Sequence, residues 1–144
     1  MRAFIKGIPK PQPRPRAFAR GGKARIYNPS SADDWKAKIA EGLIRYANMD
    51  LKDPFMLTLE FYMPRPLSHY GTGKNKGHLK DTSPYQHLKT PDIDNLTKAV
   101  MDAITVLNLW HDDSQVVSLI AFKHYSDNPK KTGVDITIKC LEIE

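Results

Sequence analysis

Residues 54 to 64 read PFMLTLEFYMP, with Leu57, Leu59, Phe61 and Met63 alternating against Thr58, Glu60 and Tyr62. A period of two predicts a half-buried strand. From Asn95 the apolar residues Leu96, Ala99, Val100, Ala103, Ile104 and Leu107 fall at i, i+3, i+4, i+7, i+8 and i+11, the full pattern of an amphipathic helix. Trp35, Ile39 and Leu43, spaced by four behind a serine cap and two aspartates in SSADDWKAKIAEGLIRYA (30–47), predict an earlier helix. Further strands are predicted in RAFIKGI (2–8), QVVSLIAFKHY (115–125) and VDITIKCLEIE (134–144). The turn NPKKTG (128–133) between the last two predicts an antiparallel hairpin. This order gives a single α/β (α+β) domain over residues 1–144, a mixed sheet of about four strands packed with two main helices.

Composition narrows the class. A chain of 144 residues, 40% hydrophobic and 26% charged, can bury a core and is not a disordered chain. Its net charge of +6 and pI near 9.4 favour a polyanionic partner. One cysteine, Cys140, excludes an intramolecular disulfide framework and a cysteine-rich zinc site. No apolar run reaches membrane length, and charges and proline interrupt MRAFIKGIPK too early for a signal peptide, so a soluble cytoplasmic protein without a membrane partner is expected.

The charge is concentrated. PKPQPRPRAFARGGKAR (9–25) holds four prolines, which favour an extended segment, and six basic residues around Phe18. Read blandly this is a solvated loop. Read functionally it is an arm that lays Lys10, Arg14, Arg16 and Arg20 on phosphates, with Phe18 against sugars or unstacked bases. Residues 65–89 lack periodicity and carry Lys74, Lys76, Lys80 and Lys89, with Lys89 a further candidate DNA contact. The spacing of His69, His78 and His87 matches no compact zinc motif, so a mobile basic loop is expected there.

The acidic residues pose the chemical question. In an extended Asp92-Ile93-Asp94 segment the two carboxylates project to one side and Ile93 points into the core. Paired carboxylates repel unless a proton or a hard cation such as Mg²⁺ bridges them. Asp94 or Asn95 can instead cap the helix, which leaves Asp92 unexplained. Lys98 is either an i,i+4 partner of Asp94 or Asp102, or an ammonium aimed at a metal or a phosphate. Asp112 and Asp113 follow the helix, where a short loop can return the chain beside the helix start so that one of them completes the site.

PDIDNLTKAVMDA (91–103) followed by WHDDSQVV (110–117) resembles the signature of the RusA family of Holliday junction resolvases, which are metal-dependent endonucleases. AFKHY (121–125) fits it, and FIKGIPKPQPRPR (4–16) and YNP (27–29) look like the family's phage-type members. The resemblance implies that Asp92, Asp94 and Asp113 bind the catalytic metal, Mg²⁺ with Mn²⁺ as substitute, and that Lys98 is needed for cleavage. Asp112 is a lesser candidate and Asp102 structural. It also implies branched DNA as substrate, four-way junctions especially, and a homodimer. QHLKTP (86–91) stands where the best-known cellular form has an arginine cluster, and residues 65–89 look longer than in that form.

Two other classes compete. One is a basic module that binds DNA without cutting it. The other is a phosphatase with a nucleophilic D-x-D, which needs a buried apolar strand before the first aspartate; SPYQHLKTP (83–91) is too polar for that. For the dimer, apolar side chains occupy both faces of the closing strands: Leu119 and Ala121 against Ile120 and Phe122, and Leu141 and Ile143 against Ile138 and Cys140. One helix layer leaves one such face bare unless the first helix covers it.

Overall fold

Among residues 1–27 and 29–142, which the computed structural model describes, six strands and two α-helices follow in order. They are β1 (Arg2–Lys6), β2 (Arg16–Arg20), β3 (Lys23–Tyr27), α1 (Asp33–Gly42), β4 (Phe55–Met63), α2 (Ile93–Val106), β5 (Val116–Tyr125) and β6 (Gly133–Cys140). The main sheet has the order β1-β6-β4-β5, and β2 and β3 form a separate two-stranded ribbon. The fold is therefore α+β, with a mixed sheet, because β4 pairs antiparallel with β6 but parallel with β5.

The closing strands do not form the expected hairpin. β4 lies between them and pairs with both, and residues 126–132 pass over its end, where the Ser126 amide donates to the Met63 carbonyl at 2.8 Å. The reason lies in burial. β4 is the strand whose alternate side chains, Phe55 through Met63, are all buried, so a central place removes the most apolar surface from water. Gly133 starts β6 at φ +154, and any Cβ there would strike the Ile5 carbonyl oxygen of β1, so only glycine lets the two backbones approach this closely.

Both helices cover the same face of the sheet. Trp35, Ile39 and Leu43 of the first helical segment share one core with Leu96, Val100 and Ile104 of α2, and with Leu57, Leu59 and Ile136 of the sheet. The serine cap of α1 is not observed: Ala32 occupies the cap position, and Ser30 contributes its carbonyl to the Asp33 amide at 3.0 Å. Among the described residues the opposite sheet face carries no helix, and Ile120 and Phe122 are exposed on it.

Two segments read as loops are more ordered than their composition implies. The basic arm folds back on itself as β2 and β3 around Gly21-Gly22, whose φ values of 61° and 74° suit a two-residue hairpin turn. Nor is the segment 65–89 free. The Arg65 side chain, 3% exposed, donates to the Ser126 and Pro84 carbonyls at 3.0 and 2.7 Å, pairs with Asp127 at 2.6 Å and lies over the Tyr125 ring. His69 and His87 meet that ring edge-on, each 4.8 Å from its centre, and Tyr85 stacks on His124.

Candidate active site

The approach to α2 is held from the sheet. Lys123 on β5 donates its ammonium protons to the Lys89 and Pro91 carbonyls at 2.7 and 2.8 Å, fixing the chain one residue before Asp92. The peptide between Thr90 and Pro91 is cis. Asp92 is extended (φ −72°, ψ 147°) and stands at the cap position of α2, with no capping bond from its side chain. Its carboxylate is therefore not consumed by the helix, whose N-terminal dipole favours the negative charge.

The extended Asp92-Ile93-Asp94 geometry gives way to a helix that starts sooner. Ile93 is the first helical residue and is 37% exposed rather than in the core. Neither Asp94 nor Asn95 is the cap; Asp94 lies in the first turn, where its Oδ1 accepts from the Asn95 amide at 2.9 Å. The short apolar run from Leu96 does not mark the helix start, because the first turn faces the surface. The Gln12 amide donates to the Asn95 carbonyl at 2.9 Å, so the proline-rich arm is pinned across this same turn.

Lys98 joins the helix to the segment that follows it. Its Nζ stands 3.3 Å from Asp102 Oδ1 and 3.6 Å from Asp113 Oδ2. The hydrogen bond and charge of Asp102, and then the charge of Asp113, raise the ammonium's pKa, so it stays charged well above neutral pH. At roughly half exposure such pairs contribute only about 0.3–0.5 kcal/mol each, so folding stability alone does not explain the arrangement.

The two adjacent aspartates divide. Asp112 caps the single turn Asp113–Gln115: its Oδ1 accepts from the Ser114 amide at 2.9 Å, while Gln115 Oε1 accepts from the His111 and Asp112 amides. The bond from the Ser114 amide holds the Asp112 carboxyl below the usual range. Gln115 also donates to the Leu51 and Asp53 carbonyls, fastening the turn to the start of β4. Asp113 is left facing Lys98, so the chain after α2 returns to the helix flank that bears this lysine.

Exposed carboxylates at Asp92 and Asp94, with Asp113 beyond Lys98, are hard oxygen donors of the kind Mg²⁺ prefers. Among the described residues, however, no three acidic or imidazole side chains stand together as a metal-holding group. The donor chemistry fits, and Mg²⁺ commonly takes one or two carboxylates and completes its shell with water and substrate phosphate.

Of the predicted DNA contacts, Arg16, Phe18 and Arg20 share one face of the ribbon with Lys23 and Arg25. Lys10 and Arg14 lie exposed on the arm, and Lys89 is exposed beside the anchoring bond from Lys123. Sequence reasoning missed Lys123, Gln12 and Asn95. A lysine inside the otherwise apolar and aromatic AFKHY was the available signal for the first; the other two act through backbone groups and leave none.

The family model described as "Endodeoxyribonuclease RusA" matches residues 6–139. An uncharacterised Bacillus subtilis (strain 168) protein, YqaN, is 32% identical over 132 residues, an alignment covering 88% of each chain.

Proposed function

This chain belongs to the RusA endodeoxyribonuclease family, and from that premise we propose that it is a Mg²⁺-dependent endonuclease that resolves four-way DNA junctions by paired nicks. The observation that carries the reading is the Lys98 ammonium beside Asp113, on the helix whose N-terminus bears Asp94 and an Asp92 that makes no capping bond. Nucleases of this family generally use Mg²⁺. Asp92, Asp94 and Asp113 are the residues that would hold it. When bound, Mg²⁺ supplies Lewis-acid polarisation of the phosphodiester and a more acidic water.

The chain's own groups do the rest. The Lys98 ammonium offsets negative charge on the reacting phosphate, and α2 presents its N-terminal dipole to the same anion. Lys123 keeps Asp92 at the helix cap rather than on a free loop. The ribbon carries Arg16, Arg20, Lys23 and Arg25 on one face with Phe18, which supports a backbone-tracking role. Branched DNA as substrate implies a cytoplasmic protein; no helix among the described residues is long and apolar enough to cross a membrane. A two-fold homodimer supplies the second nick, one site per subunit.

Incubation with Mg²⁺ and matched linear, forked and four-way DNA, with nick mapping, tests the reading. Symmetric nicks confined to the four-way substrate are expected. Binding without nicks on any substrate would leave the non-catalytic DNA-binding module in its place.

Two further outcomes are expected. Lys98→Ala should lower turnover about 10²–10³-fold, the usual loss for one electrostatic contact in a transition state, with little change in melting temperature. Activity near wild type would reduce Lys98 to a surface partner of Asp102. Junction binding should weaken steeply with salt, and replacing Arg14, Arg16 and Arg20 together with Ala should flatten the log–log slope by roughly 2–3, about 0.9 per lost phosphate contact. An unchanged slope would move the phosphate contacts off the arm.

A further inference from the structure

Beside the first two turns of α2 lies a cleft of about 580 Å³, between the proline-rich arm and α1. Asn95 is shared with the neighbouring depression that contains Asp92, and Lys98 with the one that contains Asp94. A DNA strand crossing the carboxylates therefore has this cleft as its continuation. Three cations line it, Arg14, Lys36 and Lys98, against one acid, Asp33. Lys98 is already engaged by Asp102 and Asp113, but no ion pair among the described residues involves Arg14 or Lys36.

The backbone is fixed at both cations. Lys36 follows Trp35, which is 2% exposed and anchors α1 in the core. It is half-buried while its neighbours Asp33, Asp34, Ala37 and Lys38 are exposed, so it leans into the cleft rather than into water. Arg14 sits between Pro13 and Pro15, whose rings fix the local φ, and the arm is tied down at Gln12 by its bond to Asn95. Two cations over a concave wall, with Ser30 and Asn95 as polar neighbours, form an anion site roomy enough for a phosphodiester.

We infer that this cleft binds a DNA phosphate flanking the one that is cut, with Lys36 and Arg14 as its cations. The inference rests on the nuclease reading for the word "flanking" only. Lys36 is a positioning residue here, since it sets where the strand lies and does not touch the reacting atoms.

The test uses four-way junctions carrying a single neutral methylphosphonate, stepped through the phosphates of the exchanging strands. Binding is measured without divalent metal, so that nothing is cut. At one phosphate, neutralisation should weaken wild-type binding roughly tenfold, the size of one lost charge-assisted contact. Lys36→Ala should weaken binding to unmodified DNA and should reduce the penalty at that phosphate alone, and Lys36→Ala combined with Arg14→Ala should erase it there. Lys36→Arg should keep the penalty, which a merely structural lysine would not require. Penalties that multiply with Lys36→Ala at every phosphate would overturn the inference. Nick mapping with Mg²⁺ is a separate measurement: no cutting there defeats the nuclease reading, while coupling at one phosphate still stands as evidence for the cleft.

Discussion

Asparagine in place of Asp92, Asp94 or Asp113 is expected to stop cutting, with rates down by at least about 10³-fold, while junction binding persists or tightens. The substitution keeps shape and one oxygen, and removes the charge that a hard cation requires. Folding should hardly change. Asp92 makes no capping bond with its side chain, and Asp94→Asn keeps a side-chain oxygen that can accept from the Asn95 amide. Loss of a favourable helix-dipole charge costs only about 0.3–1 kcal/mol. Tighter binding follows because one fewer negative charge faces the phosphates. Asp112→Asn is the matched control. Its carboxylate caps the Asp113–Gln115 turn, asparagine caps as well as aspartate, and activity should stay near wild type. Nicking by Asp92→Asn at the wild-type rate would sink the metal assignment, and loss of cutting in Asp112→Asn alone would transfer the role to that residue.

That control also shows where reading the sequence reached its limit. Two aspartates in succession carry the same local signal, and only the Ser114 amide and the Gln115 bridge to Leu51 and Asp53 separate a cap from the carboxylate that faces Lys98. The elements with strong periods were legible: the stripe from Leu96 to Leu107 and the alternation through β4 both lie where they were expected. Elements held by other means were not. In the ribbon, Ala17, Ala19 and Ala24 alternate with arginine and lysine, and alanine is too weakly apolar to announce a strand. In residues 65–89, order comes from the Arg65 guanidinium and a set of aromatic contacts, neither of which has a period. Strand pairing departs from the local signal for a different reason. A short connection makes a hairpin the local expectation, but insertion of β4 between β5 and β6 is decided by which strand has most apolar surface to bury. Ile93 lies at the surface rather than in the core because the helix starts before its apolar stripe does.

Breaking the outer face of β5 is the second change expected to have a large effect. β5 is a ten-residue strand at the sheet edge; residues 85–87 pair with its C-terminal end around His124, and among the described residues no strand pairs with the outer side of residues 116–122. Val117, Leu119, Ile120 and Phe122 along it are 39–64% exposed, on both faces of the strand. A long, apolar edge of this kind invites another strand, and natural sheets usually blunt such edges with charge or proline. A second copy related by a two-fold axis beside β5 would cover the edge and the face that bears Ile120 and Phe122, since such an interface is self-complementary, while Leu119 lines the depression with Asp94 and Lys98 that is left to DNA. Leu141, half-buried past the end of β6, adds little to this surface, and Ile143 lies outside the described residues. α1 does not cover the open face, because its apolar side chains are spent on the core it shares with α2. A charge placed in a two-fold interface appears twice and meets its own image, at a cost of several kcal/mol. Phe122→Glu combined with Ile120→Lys is unsuitable for that reason, because opposite charges can pair across the axis; Ile120→Glu with Phe122→Glu removes that escape. Both residues are already exposed, so the single chain should lose at most about 1 kcal/mol, chiefly because Phe122→Glu sets a carboxylate opposite Glu60 on β4. Sedimentation at micromolar concentration should show a dimer for the wild type and a monomer for the double glutamate. With four-way junctions the variant should leave singly nicked product, because the two cuts are no longer coupled within one complex. A wild-type monomer that still cuts both strands in a single encounter would remove the two-fold arrangement, and a variant that stays dimeric would move the interface away from β5.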